Sequence, residues 1–178
     1  SASGASEDLW QMAGAVAAVL TANQALWELV GRLGIAPDGV VGHSTGEYTA
    51  LQAAGILNLD SEDRYQEYIA DLYRIYRESA DKGEIPRVKL VAVGADLEKV
   101  RSVLDSMGSG LSVAMDNCPH QVVVLGEDGE IERAVAEVGR LGMICQSLPF
   151  DRPYHSPLFG AYTRNLRPFF DKWLTRTP

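Results

Sequence analysis

The spacing of apolar positions divides the chain into stretches of different period. From Asp8 to Leu33, DLWQMAGAVAAVLTANQALWELVGRL, apolar groups recur at three- and four-residue intervals. That predicts one long helix or two abutting ones, stopped by Gly34 and the turn signal GIAPDG. VVGHS is short and β-branched and predicts a strand, after which STGEYTALQAAGIL resumes helical spacing with small residues. Residues 60–80, DSEDRYQEYIADLYRIYRESA, predict an amphipathic helix with Asp60 or Ser61 as N-cap and acidic groups in the first turn. Tyr65, Tyr68, Leu72 and Tyr76 form its core stripe.

After DKGEIP the period changes. Strands are predicted at 88–94, 111–117, 121–127 and 144–150, with helices at 96–107 and 130–142. The order β-α-β-β-α-β is the split βαβ of ferredoxin-like folds. Pro86 bounds this stretch on one side and Pro149, Pro153 and Pro157 on the other, and LFGAYTRNLRPFFDKWL then returns to helical spacing. The chain thus reads as an α/β protein in two parts. Residues 1–86 and 148–178 form one domain, into which a ferredoxin-like subdomain, residues 87–147, is inserted.

Composition narrows the function. The 178 residues are enough for one full domain or two small ones, and 46% hydrophobic with 22% charged residues is a globular balance. A net charge of −8 excludes a nucleic-acid binder, which needs clustered Lys and Arg. SASGASEDLW has neither a basic nor an apolar leader region and no run is long enough to span a membrane, so a cytoplasmic protein without membrane attachment is expected. Cys118 and Cys145 are expected to be buried free thiols. His43, His120 and His155 have no helical partner at i+4, so no metal is expected; no bound cofactor is expected either.

The chemistry concentrates in GVVGHSTGEYTALQAAGIL, residues 39–57. A G-x-S-x-G match alone arises by chance in about one chain of this length in twenty. Its setting, strand before and helix after, is that of a nucleophile elbow, with glycine required at Gly42 and Gly46 where strand and helix come close. Ser44 would then stand at a helix N-terminus, with the Thr45 N–H as oxyanion donor. The plainer reading makes Ser44 an N-cap. A serine needs a base. His43, beside it, is expected to point away as a packed ring, though it is kept as a substrate-binding candidate, and His120 to lie exposed in a turn. His155, in the proline-braced segment FDRPYHSPLF, is the candidate base.

GHSTGEYTALQAAGIL, NCPHQVVVLGE and LPFDRPYHSPLF together resemble the acyltransferases that load malonyl groups from coenzyme A onto acyl carrier proteins in fatty-acid synthesis and type I polyketide synthases. The His155 segment and DSEDRYQEY look most like iterative bacterial synthases, of the enediyne kind. The resemblance implies an α/β-hydrolase-like large subdomain carrying Ser44 and a ferredoxin-like small one. It implies a Ser-His dyad whose histidine is oriented by a backbone carbonyl, and ping-pong transfer from a CoA thioester to the phosphopantetheine thiol of a carrier protein. Other domains of the synthase would be further partners. By the same resemblance Arg74, with Arg77 as fallback, grips the malonyl carboxylate; a solvated or salt-bridged arginine is the alternative. Asn117 matches a family asparagine near the dyad, with a turn-forming Asn as the alternative. Tyr154, bulky and next to the histidine, favours malonyl over methylmalonyl.

Complete domains of the family are longer and open with a Gly-Gln-Gly-Ser-type strand that supplies a second oxyanion donor; neither it nor the carbonyl expected to orient His155 is found here, so a fragment is expected. Two other readings stay open. One is a serine esterase or thioesterase, for which Asp116 or Asp151 would be the acid. The other is a non-catalytic carrier-docking piece.

Overall fold

In the computed structural model, which describes residues 12–57, 59, 61–108 and 110–174, the first periodic stretch forms helix α1 (Met12–Arg32). The start of the predicted helix, residues 8–11, and the alternative cap Asp60 lie outside the described residues. α1 stops where its turn signal stands. Gly34 takes φ +75°, and the amides of Gly34 and Ile35 turn back to the carbonyls of Gly31 (3.0 Å) and Val30 (3.2 Å), a left-handed cap suited to glycine.

The strand expected at VVGHS does not form: residues 39–43 are irregular, and Val41 is 95% exposed. β-Branched residues favour a strand only where a neighbour completes the ladder, and none of the described strands pairs with this segment. His43, expected as a packed ring, is exposed for the same reason. Helix α2 (Gly46–Ala53) ends sooner than its spacing suggested, because Gly55 takes φ +69° and turns the amides of Gly55 and Ile56 onto Gln52 and Leu51. Helix α3 (Glu62–Asp81) starts on Ser61, whose Oγ accepts from the Arg64 N–H at 3.3 Å.

Contacts divide the chain into two units, residues 1–78 with 165–178 and residues 79–164. In the first, Tyr68 is 1% exposed and packs against Phe169 (ring centroids 5.0 Å) and edge-on to Trp173 (5.3 Å). Phe169 and Trp173 belong to α7 (Arg167–Trp173). The Trp173 indole donates to Asp71 at 3.2 Å, and Lys172 reaches Asp71 and Glu67, each at 2.7 Å. Desolvation works to raise the Asp71 pKa, but hydrogen bonds from Lys172, Arg74 and Trp173 outweigh it and hold the carboxyl below its ordinary value. The C-terminal stretch of helical spacing forms a 3₁₀ turn (Pro157–Phe159), α6 (Gly160–Asn165) and α7. Pro168 explains the break at Leu166, since it has no N–H to offer the Arg164 carbonyl and its ring would collide with it.

The second unit holds β1 (Lys89–Val93), α4 (Leu97–Met107), β2 (Leu111–Cys118), β3 (Gln121–Gly126), α5 (Asp128–Arg140) and β4 (Cys145–Ser147). The sheet is antiparallel in the order β2-β3-β1-β4, with Val91 opposite Val124 and Ala92 opposite Gln146. Alternation sends Val91, Val93, Val122 and Val124 to a core with Val100 and Leu104 of α4 and Ile131 and Val138 of α5. Leu90, Val123 and Leu125 face the other way, where Leu148, Phe150 and Tyr154 cover them. With both faces covered, β3 reads as an unbroken apolar run. Cys118, expected buried, is exposed at the hairpin end of a strand whose register two bulges shift; Cys145 is half-buried, and burial raises its thiol pKa. Among the described residues no helix is long and apolar enough to cross a membrane, and no cluster of His, Cys, Asp and Glu is arranged to hold a metal.

Candidate active site

Ser44 and His155 are the two non-glycine residues with positive φ among the described residues, at +53° and +59°. The left-handed region costs an ordinary L-residue of order 1–2 kcal/mol, so surroundings must impose it.

At Ser44 the surroundings are a turn into α2. The Gly46 N–H bonds the His43 carbonyl at 2.9 Å and the Glu47 N–H bonds the Ser44 carbonyl at 3.0 Å, while the Tyr48 N–H reaches Thr45 at 3.3 Å. The Thr45 N–H takes no part in these bonds. The helix N-cap is Thr45, with no side-chain capping bond, so Ser44 is not the cap that the plainer reading made it. Gly42 passes so close to α2 that a Cβ there would overlap the backbone of Gly46 and Glu47. Gly46 differs from expectation: a Cβ on it would meet nothing within 4 Å. The close approach is made by Gly42 onto the Gly46 backbone, so only one partner must lack a side chain. Gly42→Ala is therefore expected to destabilise by about 1–3 kcal/mol, whereas Gly46→Ala leaves stability equal or higher by up to about 1 kcal/mol because alanine is the better helix former. Urea midpoints of the two variants check this contrast.

α2 is held from both sides. Asn23 of α1 donates to Thr49 Oγ1 at 3.3 Å, and Tyr48 stacks on Phe170 (5.9 Å, 11°) with its edge toward Tyr68. Desolvation, and then the charge of Glu47, push the Tyr48 hydroxyl up to about 12. It stays neutral at working pH and is no competing base.

His155 belongs to the second unit and lies exposed on a loop tied down on both sides. Before it, Leu148 N–H bonds Leu90 O (2.9 Å), Val88 N–H bonds Asp151 O (3.0 Å), and Arg152 Nη1 donates to Ile85 O (3.2 Å). Around it, Tyr154 N–H bonds Arg152 O (2.8 Å), Ser156 Oγ donates to Pro153 O (2.7 Å), and Pro153 is fully buried. Tyr154 is wedged between Phe150 (6.0 Å) and Phe159 (5.3 Å). The prolines alone signalled a stiff loop; the clamp by Arg152 and the Ser156 hydroxyl was missed, although both residues stand in FDRPYHSP.

Arg74, on the exposed side of α3, pairs with Asp71 (3.2 Å) and Glu78 (3.1 Å), and its side chain is 57% exposed. Arg77 lies over the Tyr73 ring at 5.8 Å. Asn117 donates to Gln121 Oε1 across the β2–β3 hairpin at 3.0 Å, and His120 is exposed in the turn between them. Asp151 faces Arg87 and Arg152, each at 3.5 Å, and Asp116 is exposed on β2.

Residues 3–177 match the profile of the acyl transferase domain. The chain belongs to that family. The acyl transferase domain described here is 30% identical over 173 residues to malonyl CoA-acyl carrier protein transacylase of Bacillus subtilis, an alignment covering 94% of this chain and 53% of that protein. It is 33% identical over 131 residues to erythronolide synthase EryA3 of Saccharopolyspora erythraea, covering 74% of this chain and 4% of the synthase. Among solved structures, the acyltransferase domain of the iterative polyketide synthase in enediyne biosynthesis superposes with a TM-score of 0.68 at 30% identity, over 88% of this chain and 40% of that one. FabD from Acinetobacter baumannii gives 0.78 at 27% identity, over 97% and 55%. The acyl transferase domain thus spans about half the length of the transacylase relative and a small part of the synthase.

Proposed function

We propose that this acyl transferase domain takes malonyl from malonyl-CoA onto Ser44 and passes it to the phosphopantetheine thiol of an acyl carrier protein within a polyketide synthase. The observation that carries the reading is the coincidence of strain with chemistry. Among the described residues, the two left-handed non-glycine positions are the serine of the G-x-S-x-G turn and the histidine of the proline-braced loop. Such strain persists where function requires it.

In the proposed first half-reaction His155 accepts the Ser44 proton as the hydroxyl oxygen attacks the thioester carbonyl. The Thr45 N–H and the positive end of α2 meet the developing oxyanion. The tetrahedral centre collapses to malonyl-serine as the CoA thiolate leaves, taking its proton from the His155 imidazolium. In the second half the carrier thiol gives its proton to His155, its sulfur attacks the malonyl ester, and Ser44 leaves with the returned proton. The architecture fitting this role is an α/β-hydrolase-like part carrying Ser44 with an inserted ferredoxin-like part. The β-α-β-β-α-β order and the sheet order support the latter.

Tyr154 sets the extender: a ring fixed between two phenylalanines is a rigid wall against an α-methyl group, worth about 1–3 kcal/mol of preference for malonyl over methylmalonyl. Asn117 stays a substrate-side candidate in the proposal. Arg74 keeps the carboxylate-gripping role, with malonyl replacing Glu78. That exchange is cheap, because an exposed, solvent-screened pair holds the guanidinium weakly. Arg74→Ala is expected to lower malonyl labelling about tenfold or more while acetyl labelling is unchanged, and Glu78→Gln to leave both intact; relative KM values check it.

The test is incubation with radiolabelled malonyl-CoA followed by carrier protein. Label held on the protein and then moved to the carrier thiol supports the proposal. Rapid release of free malonate indicates a serine hydrolase, and absence of label a docking module.

A further inference from the structure

We propose that Arg152 is a positioning residue for His155. Its guanidinium fastens the 151–156 loop to the segment leading into β1, and so fixes the direction in which the imidazole is presented. This rests on the reading of His155 as general base given above.

A loop without ladder hydrogen bonds keeps a left-handed histidine only if something over-determines its backbone. Two hydrogen bonds and a buried proline do so locally, but they join the loop only to itself. Besides the packing of Tyr154 and the exposed Arg87–Asp151 pair, two hydrogen bonds join it to the segment before β1, the Val88 amide on the Asp151 carbonyl and the side chain of Arg152 on the Ile85 carbonyl. That side chain is only 17% exposed, whereas that of Arg87, which faces the same Asp151 carboxylate, is 79% exposed. Nη1 donates to the carbonyl of Ile85, itself 3% exposed, at 3.2 Å. Nε lies 3.5 Å from Asp151 Oδ1, too long for a hydrogen bond, and is buried without another acceptor. A partly buried guanidinium with an imperfectly matched nitrogen is costly to keep, so a packing role alone would be served as well by an apolar chain of similar length. What an apolar chain cannot supply is the directed bond to Ile85. The planar fork also distinguishes arginine from lysine, whose ammonium turns freely on a flexible stem and lacks the fixed direction in which Nη1 meets the Ile85 carbonyl.

The test is a double-mutant cycle on the full chain, read as the single-turnover rate of acyl-enzyme formation from malonyl-CoA. Arg152→Met is expected to slow acylation about 10- to 100-fold, the effect of a displacement near 1 Å in a reacting group, with KM for malonyl-CoA little changed. Arg152→Lys is expected to fall between Met and wild type, and it carries the cycle if the Met variant does not fold by circular dichroism. In a His155→Asn background the same substitutions are expected to change the rate by less than about threefold, since no imidazole remains to be aimed. An unchanged rate in Arg152→Met or Arg152→Lys, or an equal loss in both backgrounds, overturns the positioning role while leaving the dyad intact. A His155→Asn variant as fast as wild type overturns the dyad itself, and the positioning role with it.

Discussion

Replacing Ser44 with glycine is expected to make the protein more stable and, at the same time, unable to form an acyl-enzyme. Ser44 sits at φ +53°, where an L-residue gives up about 1–2 kcal/mol. Glycine relieves that strain, and the greater freedom of its unfolded chain takes back about 0.5–1 kcal/mol. The net gain is about 0.5–1 kcal/mol, a rise of about 1–4 °C in melting temperature for a chain of this size. The hydroxyl disappears with the same change, so acylation should fall by about 10⁴-fold or more, as expected when a covalent nucleophile is removed. Ser44→Ala should show the same loss without the gain. The opposite signs of the two effects are the signature of strain kept for function. A glycine variant less stable than wild type would remove the strain argument at this position.

His155→Asn is expected to lower acylation by about 10²- to 10⁴-fold, the usual worth of a positioned base, while the protein stays folded. Asparagine is chosen because it tolerates the left-handed backbone that His155 adopts at φ +59°, so the loop keeps its course. The ring is exposed, and its removal leaves no cavity. Residual activity should climb with pH as hydroxide takes over the deprotonation of Ser44. A loss below about tenfold in this variant would assign the base to another group.

Much of the fold was legible because it depends on local signals. The long amphipathic helices follow from period, and the four strands of the second unit from alternation between Gly, Pro and Asn punctuation. What failed was non-local. VVGHS has strand composition but no neighbour to pair with among the described residues, and the exposure of His43 follows from that absence rather than from its own chemistry. The break at Leu166 was readable in Pro168, but apolar spacing on both sides overrode it. At the elbow the pattern demanded two glycines, and only Gly42 is sterically required, since a motif does not say which partner yields the space. Arg74 stood within reach of Asp71 and Glu78 from the start, at spacings of three and four, and those local pairs are what it makes. Arg152 escaped notice because its role depends on Ile85, 67 positions away in the chain.

The most direct measurement is peptide mapping by mass spectrometry of the protein quenched in acid after brief exposure to malonyl-CoA, with and without a chase of phosphopantetheinylated carrier protein. The account predicts a malonyl ester on the peptide containing Ser44, absent in Ser44→Ala and cleared by the chase as malonyl appears on the carrier. A malonyl adduct on any other residue, or a Ser44 peptide that stays unmodified while the carrier is loaded, would contradict it.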